Sequence, residues 1–158
     1  MSKGLRRVAP RCGWILLYAL ATCSREGTST SVSPATEQSP VEVIKLGQTQ
    51  PYSGPASAYS TIGKLHAAFF KRLNEEGGVN KRKIELISED DAYSPPKTLE
   101  QVRKLVEQDK VLAVYQSVGT AANTAVHKYL NSQHVPQLFA STGATKWADP
   151  EHYPWTIG

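Results

Sequence analysis

The 158-residue chain has an apolar content of 40% and a formal net charge of +4, and such a charge raises the question of a nucleic-acid partner. Residues 1–40 hold five basic and two acidic side chains, so three of the four net positive charges belong to them. The remaining residues are nearly neutral and lack the excess charge that a polyanion requires. The composition therefore predicts one globular domain over residues 41–158 and no nucleic-acid partner.

The first 40 residues have the layout of an export signal followed by a tether. Basic residues at 3, 6, 7 and 11 precede the apolar stretch Cys12–Ala21, which is too short to span a bilayer comfortably. Residues 22–40 are rich in Ser, Thr and Pro, as flexible linkers are. We therefore expect a signal peptide over residues 1–21, a linker over residues 22–40 and export to the periplasm.

Two routes of processing compete at the end of this leader. Ala19-Leu20-Ala21 offers the small residues that signal peptidase prefers, which would release a soluble protein beginning near Thr22. Leu20-Ala21-Thr22-Cys23 instead resembles a bacterial lipobox, with Cys23 as the lipidated residue, although Thr22 is bulkier than the Gly, Ala or Ser usual there. Both routes stay open. The other cysteine is Cys12, so residues 41–158 cannot form an internal disulfide.

The body begins with the β-branched apolar run Val41–Leu46, which predicts a strand. Gly, Pro and Ser in residues 47–55 predict a loop, and apolar residues at three- and four-residue steps over 59–73 then predict a helix. Gly77-Gly78 would end that helix in a left-handed cap. His66 lies on or beside the apolar stripe without a second ligand-type residue at helical spacing, which favours a packed histidine over a metal ligand.

The same unit of strand, loop and helix then repeats along the chain. Strands are predicted at residues 84–87, 111–115 and 135–140, and helices at 97–108 and 120–132. Strands and helices that alternate this evenly predict an α/β fold with a doubly wound parallel sheet and helices on both faces.

In a doubly wound sheet, ligands bind outside the carboxyl ends of the strands. This rule selects four loops, at residues 48–58, 90–96, 116–120 and 141–145. Three of the four are rich in Ser, Thr and Gly, which let a ligand approach the backbone and hydrogen-bond to it. The loops therefore predict a site for a small molecule.

These loops lack the groups of a catalytic or cofactor site. No glycine-rich dinucleotide motif follows the first strand, no Gly-Lys-Ser/Thr phosphate loop occurs, and no His or Cys lies at a strand end to activate a nucleophile. Asp90-Asp91 could be a metal-binding pair, but the third strand ends without an acceptor aspartate, which favours one carboxylate capping a turn while the other faces water. We expect no catalytic residue, no metal and no cofactor.

Gly119-Thr120 precedes the third helix and has two interpretations. The unpaired N–H groups and the dipole of a helix start favour a ligand carboxylate, to which the Thr120 hydroxyl could add a hydrogen bond. Alternatively, Thr120 merely caps its own helix. The residues alone leave both open.

Several short motifs follow one another along the body: residues 44–47 with Tyr52-Ser-Gly-Pro55, residues 74–80, Asp90-Asp91-Ala92 with Pro95-Pro96-Lys97, and residues 135–145. In this order and spacing, Val43–Gly158 resembles the branched-chain amino-acid (Leu/Ile/Val-type) family of periplasmic binding proteins. The resemblance implies a type I periplasmic-binding-protein lobe that captures an amino acid or a related small carboxylate or amide without chemistry. It also implies delivery to the membrane permease of an ABC transporter.

In that family the first lobe holds the ligand carboxylate through backbone amides and Ser/Thr hydroxyls, and a second lobe closes over it. Gly119-Thr120 stands where family members often have Ser, so a side-chain contact is either lost or passed to Thr120. Val118 occupies the position of one partner of a disulfide that some relatives carry. Carried over motif by motif, the resemblance implies ligand contacts at Tyr59, Gly119, Thr120, Ala140, Ser141 and Thr142.

The sequence ends where the resembled family enters its next strand and crosses to the second lobe. We therefore expect residues 41–158 to be an incomplete first lobe that binds weakly alone, since the other lobe normally supplies the acidic group for the ligand ammonium. Two other classes of function are alternatives: a hydrolase-like or other enzyme on the same winding, and a sensor or receptor ectodomain that reuses this fold.

Overall fold

A computed structural model describes residues 43–158. The predicted signal peptide, the linker and both cysteines lie outside the described residues. The strands are β1 (Ile44–Gln50), β2 (Ile84–Asp90), β3 (Ala113–Tyr115), β4 (Gln137–Leu138) and β5 (Thr156–Ile157), and the helices are α1 (Ser60–Glu75), α2 (Pro95–Glu107) and α3 (Thr120–Ser132). All strand pairs are parallel, and the order across the sheet is β2-β1-β3-β4-β5.

The connections leave β1 and β3 in opposite directions. Helix α1 carries the chain outward from β1 to β2, whereas α2 carries it back past β1 to β3 and α3 continues that way to β4. Because such crossovers are right-handed, the reversal puts α1 on one face of the sheet and α2 with α3 on the other. The predicted doubly wound parallel α/β fold is confirmed, and its switch point lies between β1 and β3.

The apolar core lies between the sheet and the α2–α3 pair. Val102 and Leu105 of α2 and Val126 and Leu130 of α3 pack with Val114 of β3, and all five are fully buried. Burial of each such side chain stabilises the fold by about 1.5–3 kcal/mol. Since α2 and α3 each follow a strand, this core also holds their first turns at the carboxyl edge of the sheet.

Helix α1 is present as predicted, but its apolar stripe is covered only in part. Phe70 is buried, with its ring centroid 5.5 Å from that of Tyr115 in β3. Leu65 is 68% exposed and Phe69 is 57% exposed. The apolar residues at three- and four-residue steps therefore predict the helix correctly, but they do not predict which of these residues are buried.

Strands β1 and β2 extend further than the apolar pattern predicts, to Gln50 and Asp90. Residues 48–50, predicted as loop, are fully buried within β1. Nε2 of Gln50 donates a hydrogen bond to the carbonyl oxygen of Gln116 at 2.9 Å. A hydrogen-bonded amide can be buried at small cost, so polar residues here continue a strand instead of ending it.

Helix α3 spans residues 120–132 as predicted, and β4 is shorter than the predicted 135–140.

His66 is a packed histidine, as expected: its Nδ1 lies 2.7 Å from Nε2 of Gln48, and burial lowers its pKa. None of the helices within residues 43–158 combines the length and apolar character needed to cross a bilayer.

A buried polar network ties the start of α3 to β3 and β4. Nδ2 of Asn123 donates to the carbonyl oxygens of Ser117 and Gly119, both at 2.8 Å, and its Oδ1 accepts a hydrogen bond from Nε2 of Gln137 at 2.8 Å. Asn123 is fully buried and Gln137 is 1% exposed. The network therefore fixes the backbone of the loop that joins β3 to α3.

We expect Asn123→Ala to lower the free energy of unfolding by about 2–4 kcal/mol, because it leaves the buried carbonyl groups and the Gln137 amide without partners. Urea unfolding followed by circular dichroism measures the change. Gln133→Ala, at the exposed end of the same helix, is the matched control and should change stability by less than about 0.5 kcal/mol. Equal midpoints for the two variants would contradict the role given to the network.

Candidate ligand-binding site

The loops that follow β1 to β4 enclose a cleft of about 470 Å³ at the carboxyl edge of the sheet. It lies at the switch point, where the connections from β1 and β3 diverge and where ligands bind in folds of this winding. The lining residues are Tyr59, Ile62, Tyr93, Val118, Gly119, Thr120, Ser141, Thr142 and Gly143.

The first turn of α3 begins at this cleft without a side-chain cap. The N-cap is Gly119, in a left-handed conformation with φ of 105°, and its N–H donates to the carbonyl oxygen of Ser141 at 3.0 Å. Thr120 is the first helical residue, so the alternative in which it caps its own helix is wrong. Its Oγ1 instead hydrogen-bonds to Oγ1 of Thr142. The first N–H groups of α3 are therefore left for a ligand or solvent.

The chemistry of the cleft favours an anion. Its lining carries the hydroxyls of Thr120, Ser141 and Thr142 and no charged side chain. The start of α3 contributes roughly half a positive charge. Lys146 adds a cation nearby, since its Nζ contacts Oγ1 of Thr124 on the second turn of α3. A carboxylate among the hydroxyls would meet hydrogen-bond donors and no repelling carboxylate.

Five of the six predicted site residues come together in this cleft: Tyr59, Gly119, Thr120, Ser141 and Thr142. The sixth, Ala140, does not line it. Ala140 is 6% exposed, and its N–H donates to the carbonyl oxygen of Ile157 at 3.2 Å. The structure thus gives Ala140 a place in the sheet edge behind the cleft.

Asp90 holds two loops of the cleft together. Its carboxylate accepts hydrogen bonds from N and Oγ of Ser53, from N of Ala92 and from Nζ of Lys97, at 2.6–3.0 Å. Burial raises the pKa of this carboxyl, but the hydrogen bonds from Ser53, Lys97 and Ala92 outweigh it and hold the pKa well below its ordinary value. The adjacent loop packs closely, since a Cβ on Gly54 would lie 2.9 Å from the carbonyl oxygen of Ala92.

Asp91 is fully buried and shapes the loop after β2. Its Oδ1 accepts from N of Tyr93 at 2.9 Å, and its Oδ2 accepts from Oγ1 of Thr98 at 3.0 Å. The expectation that one of the two aspartates caps the turn is confirmed, but neither carboxylate simply faces water. Within residues 43–158, no cluster of three or more His, Cys, Asp or Glu side chains is placed to hold a metal.

Tyr93 lies in one of the four predicted loops but was not among the six predicted site residues. A Cβ built on Gly119 would lie 2.6 Å from Cε2 and 3.2 Å from the hydroxyl oxygen of the Tyr93 ring. The ring therefore occupies the space that a side chain at position 119 would need. Val118 and Gly143 likewise line the cleft from predicted loops without having been named, whereas Ile62 lies in α1, outside all four loops. The rule that selected the loops could therefore have suggested every one of these residues except Ile62.

The family model described as periplasmic binding protein matches residues 43–157. An amino acid binding protein of Pseudomonas aeruginosa is 31% identical over 101 residues, which are 62% of this chain and 24% of that protein. A possible leucine/isoleucine/valine-binding protein of Rhodopirellula baltica is 27% identical with a TM-score of 0.64, over 74% of this chain and 32% of that one.

A second solved structure is a solute binding protein of an ABC transporter from Rhodopseudomonas palustris, in complex with 3,4-dihydroxybenzoic acid. It is 26% identical with a TM-score of 0.59, over 72% of this chain and 30% of that one. This chain thus spans only 24–32% of the length of these three proteins.

We expect the stability of the protein to depend on acid pH through Asp90. Because its folded pKa lies below the unfolded value of about 3.9, its contribution is complete above that value and is lost as pH falls through the folded pKa. Urea midpoints measured between about pH 6 and pH 3 should therefore fall more steeply for the wild type than for Asp90→Asn. Glu75→Gln, an exposed carboxylate on α1, is the control and should keep the wild-type slope.

Proposed function

Because the chain belongs to the periplasmic binding protein family, we propose that residues 41–158 form the first lobe of an extracytoplasmic substrate-binding protein. In this proposal the lobe captures an amino acid or a related small carboxylate or amide and delivers it to the membrane permease of an ABC importer. Capture proceeds without chemistry, and the partners are the small-molecule ligand and the permease.

The observation that carries the proposal is the uncapped start of α3 among three hydroxyls. Gly119 and Thr120 place the first turn of the helix at the cleft, and Ser141 and Thr142 stand beside it on the loop after β4. The Ser141 hydroxyl has no hydrogen-bond partner among the described residues, so it remains available to a ligand. This arrangement supports binding of a carboxylate through backbone amides and hydroxyls.

The ligands named for two of the relatives also favour a carboxylate ligand. The Pseudomonas relative is named for amino acids, and the Rhodopseudomonas structure contains 3,4-dihydroxybenzoic acid. These molecules differ in size and shape but share a carboxyl group. We therefore assign the carboxylate to the hydroxyl-lined end of the cleft.

The cleft also supports capture over catalysis. Serine and threonine hydroxyls line it, but no histidine or carboxylate side chain is among its lining residues to act as a base. A hydroxyl without a base is a poor nucleophile at neutral pH. The described hydroxyls are therefore suited to hold a ligand, and the enzyme alternative draws no support from them.

We further propose that residues 1–21 direct export to the periplasm and that residues 22–40 are a linker. The leader leaves two mature forms open, a soluble one beginning near Thr22 and one anchored through lipid on Cys23. In the lipid-anchored form the linker would give the lobe reach from the membrane.

We expect the purified protein to bind amino acids and small carboxylates weakly, with dissociation constants of about 1 mM or above, because one lobe offers only part of a two-lobe set of contacts. Ligand-detected NMR measures such binding, and calorimetry detects anything tighter. Ser141→Ala should weaken carboxylate binding about tenfold, through loss of one hydrogen bond to a charged group.

Ser132→Ala, at the far end of α3, is the matched control and should leave binding unchanged. Micromolar binding by this chain alone would contradict the two-lobe account. Binding of a sugar or a nucleotide in place of the carboxylates would contradict the ligand class.

We expect deletion of residues 2–21 to keep the protein in the cytoplasm of an expressing bacterium, whereas the complete chain reaches the periplasm. Cell fractionation with a C-terminal tag measures the difference. The mass of the mature protein, with Cys23→Ser as the control, separates the two processing routes. Periplasmic recovery of the deletion variant would contradict the proposed signal.

A further inference from the structure

Two exposed tyrosines line the cleft, and they belong to different sides of the sheet. Tyr59 immediately precedes α1, and Tyr93 lies two residues before α2. Because α1 and α2 pack on opposite faces, the two loops that carry these tyrosines lead to opposite sides of the sheet. Tyr59 is 55% exposed and Tyr93 is 40% exposed, so each offers a large uncovered ring to whatever occupies the cleft.

The place of Tyr93 is set by its backbone. Ala92 and Tyr93 both have left-handed conformations, with φ of 50° and 59°, which cost free energy in residues other than glycine and persist only where the surroundings fix them. The buried Asp91 carboxylate provides that constraint by accepting the N–H of Tyr93. Ser94 N also donates to the carbonyl oxygen of Asp91, at 2.8 Å. Tyr93 is therefore held in the cleft.

Gly119 makes room for that ring. With Cε2 of Tyr93 only 2.6 Å from where a Cβ would lie, any side chain at position 119 would overlap it. The cleft thus has an aromatic surface at the point where a serine hydroxyl would otherwise stand. Ile62 and Val118 add apolar surface to the lining of the same cleft.

Neither tyrosine uses its hydroxyl within the described chain. Tyr52 and Tyr129 do, through Ser88 and Glu107, but the hydroxyls of Tyr59 and Tyr93 have no hydrogen-bond partner among residues 43–158. Aromatic pairs contribute about 0.5–1.5 kcal/mol beyond the area that they bury. Both tyrosines line this one cleft, so a planar ring bound there can contact aromatic surface in the favoured stacked or edge-on arrangements, which a branched aliphatic group cannot adopt.

Resting on the proposed carboxylate-binding function, we propose that this cleft selects carboxylates with a planar aromatic group, which contacts Tyr59 and Tyr93 while the carboxylate binds at the start of α3. Tyr93 is then a specificity-determining residue, and Asp91 is the residue that positions it. The ligand class narrows from amino acids and small carboxylates in general to aromatic acids and aromatic amino acids.

Benzoate and cyclohexanecarboxylate test the proposal directly, because they have the same charge and carbon count and differ in planarity. Ligand-detected NMR titration of the purified protein should show benzoate binding about tenfold more tightly. Phenylalanine should bind more tightly than isoleucine in the same assay. Equal affinities within both pairs would overturn the proposal and leave the carboxylate-binding function standing.

Three variants assign the effect to the rings. Tyr93→Leu and Tyr59→Leu should each bring the ratio of benzoate to cyclohexanecarboxylate affinity close to one, whereas Tyr93→Phe should keep it. Phe69→Leu removes an equally exposed ring outside the cleft and should leave the ratio unchanged. A ratio that survives both leucine variants would overturn the assignment to these tyrosines.

Failure of the carboxylate function is a separate result. If neither carboxylates nor amino acids bind at any concentration used, the proposed function fails and this inference fails with it. Equal urea midpoints for the variants and the wild type show that the proteins in this comparison are folded. Affinity for cyclohexanecarboxylate without preference for benzoate affects only the inference.

Discussion

The pairing of β1 with a parallel strand on each side determines where the rest of the molecule lies. Its seven residues align with seven residues of β2, and Leu46 and Gly47 also align with β3. Since the chain leaves β1 in one direction and β3 in the other, the loops after these two strands must separate. The cleft is the space left by that separation, so it follows from strand order before any side chain is considered.

Hydrogen-bonded polar groups give the cleft its shape, and two of them, Asp91 and Asn123, are fully buried. Asp90 and Asp91 hold the loop after β2, and Asn123 holds the loop after β3 through the carbonyl oxygens of Ser117 and Gly119. Each such hydrogen bond contributes only about 1 kcal/mol net, but a lost partner costs about 1–3 kcal/mol. Loops held by such hydrogen bonds resist small displacements of their backbone. A ligand site built from loop backbone needs this rigidity.

The elements that follow from local pattern were predicted well, and those that depend on distant contacts were not. Helix α3 has its predicted bounds because Gly119 and the periodicity of residues 120–132 both mark them. The ends of β1 were missed because Gln48 and Gln50 have the polarity of a loop, and only their amide contacts, with His66 and with Gln116, explain their burial.

The candidate site also has a part that the sequence predicts and a part that depends on distant contacts. Strand-end position and resemblance together select five of the lining residues. Strand-end position also selects the loop that contains Tyr93, but not the contact of this residue with Gly119, 26 residues away in sequence. No period or motif encodes such a contact.

Gly119 is constrained twice, by the Tyr93 ring beside it and by its own backbone. A side chain at position 119 would require the ring to move, and it would also have to adopt a φ of 105°, which favours glycine. Loss of the tyrosine would remove only the first of these constraints. A chain without the ring would therefore still favour glycine at the start of α3.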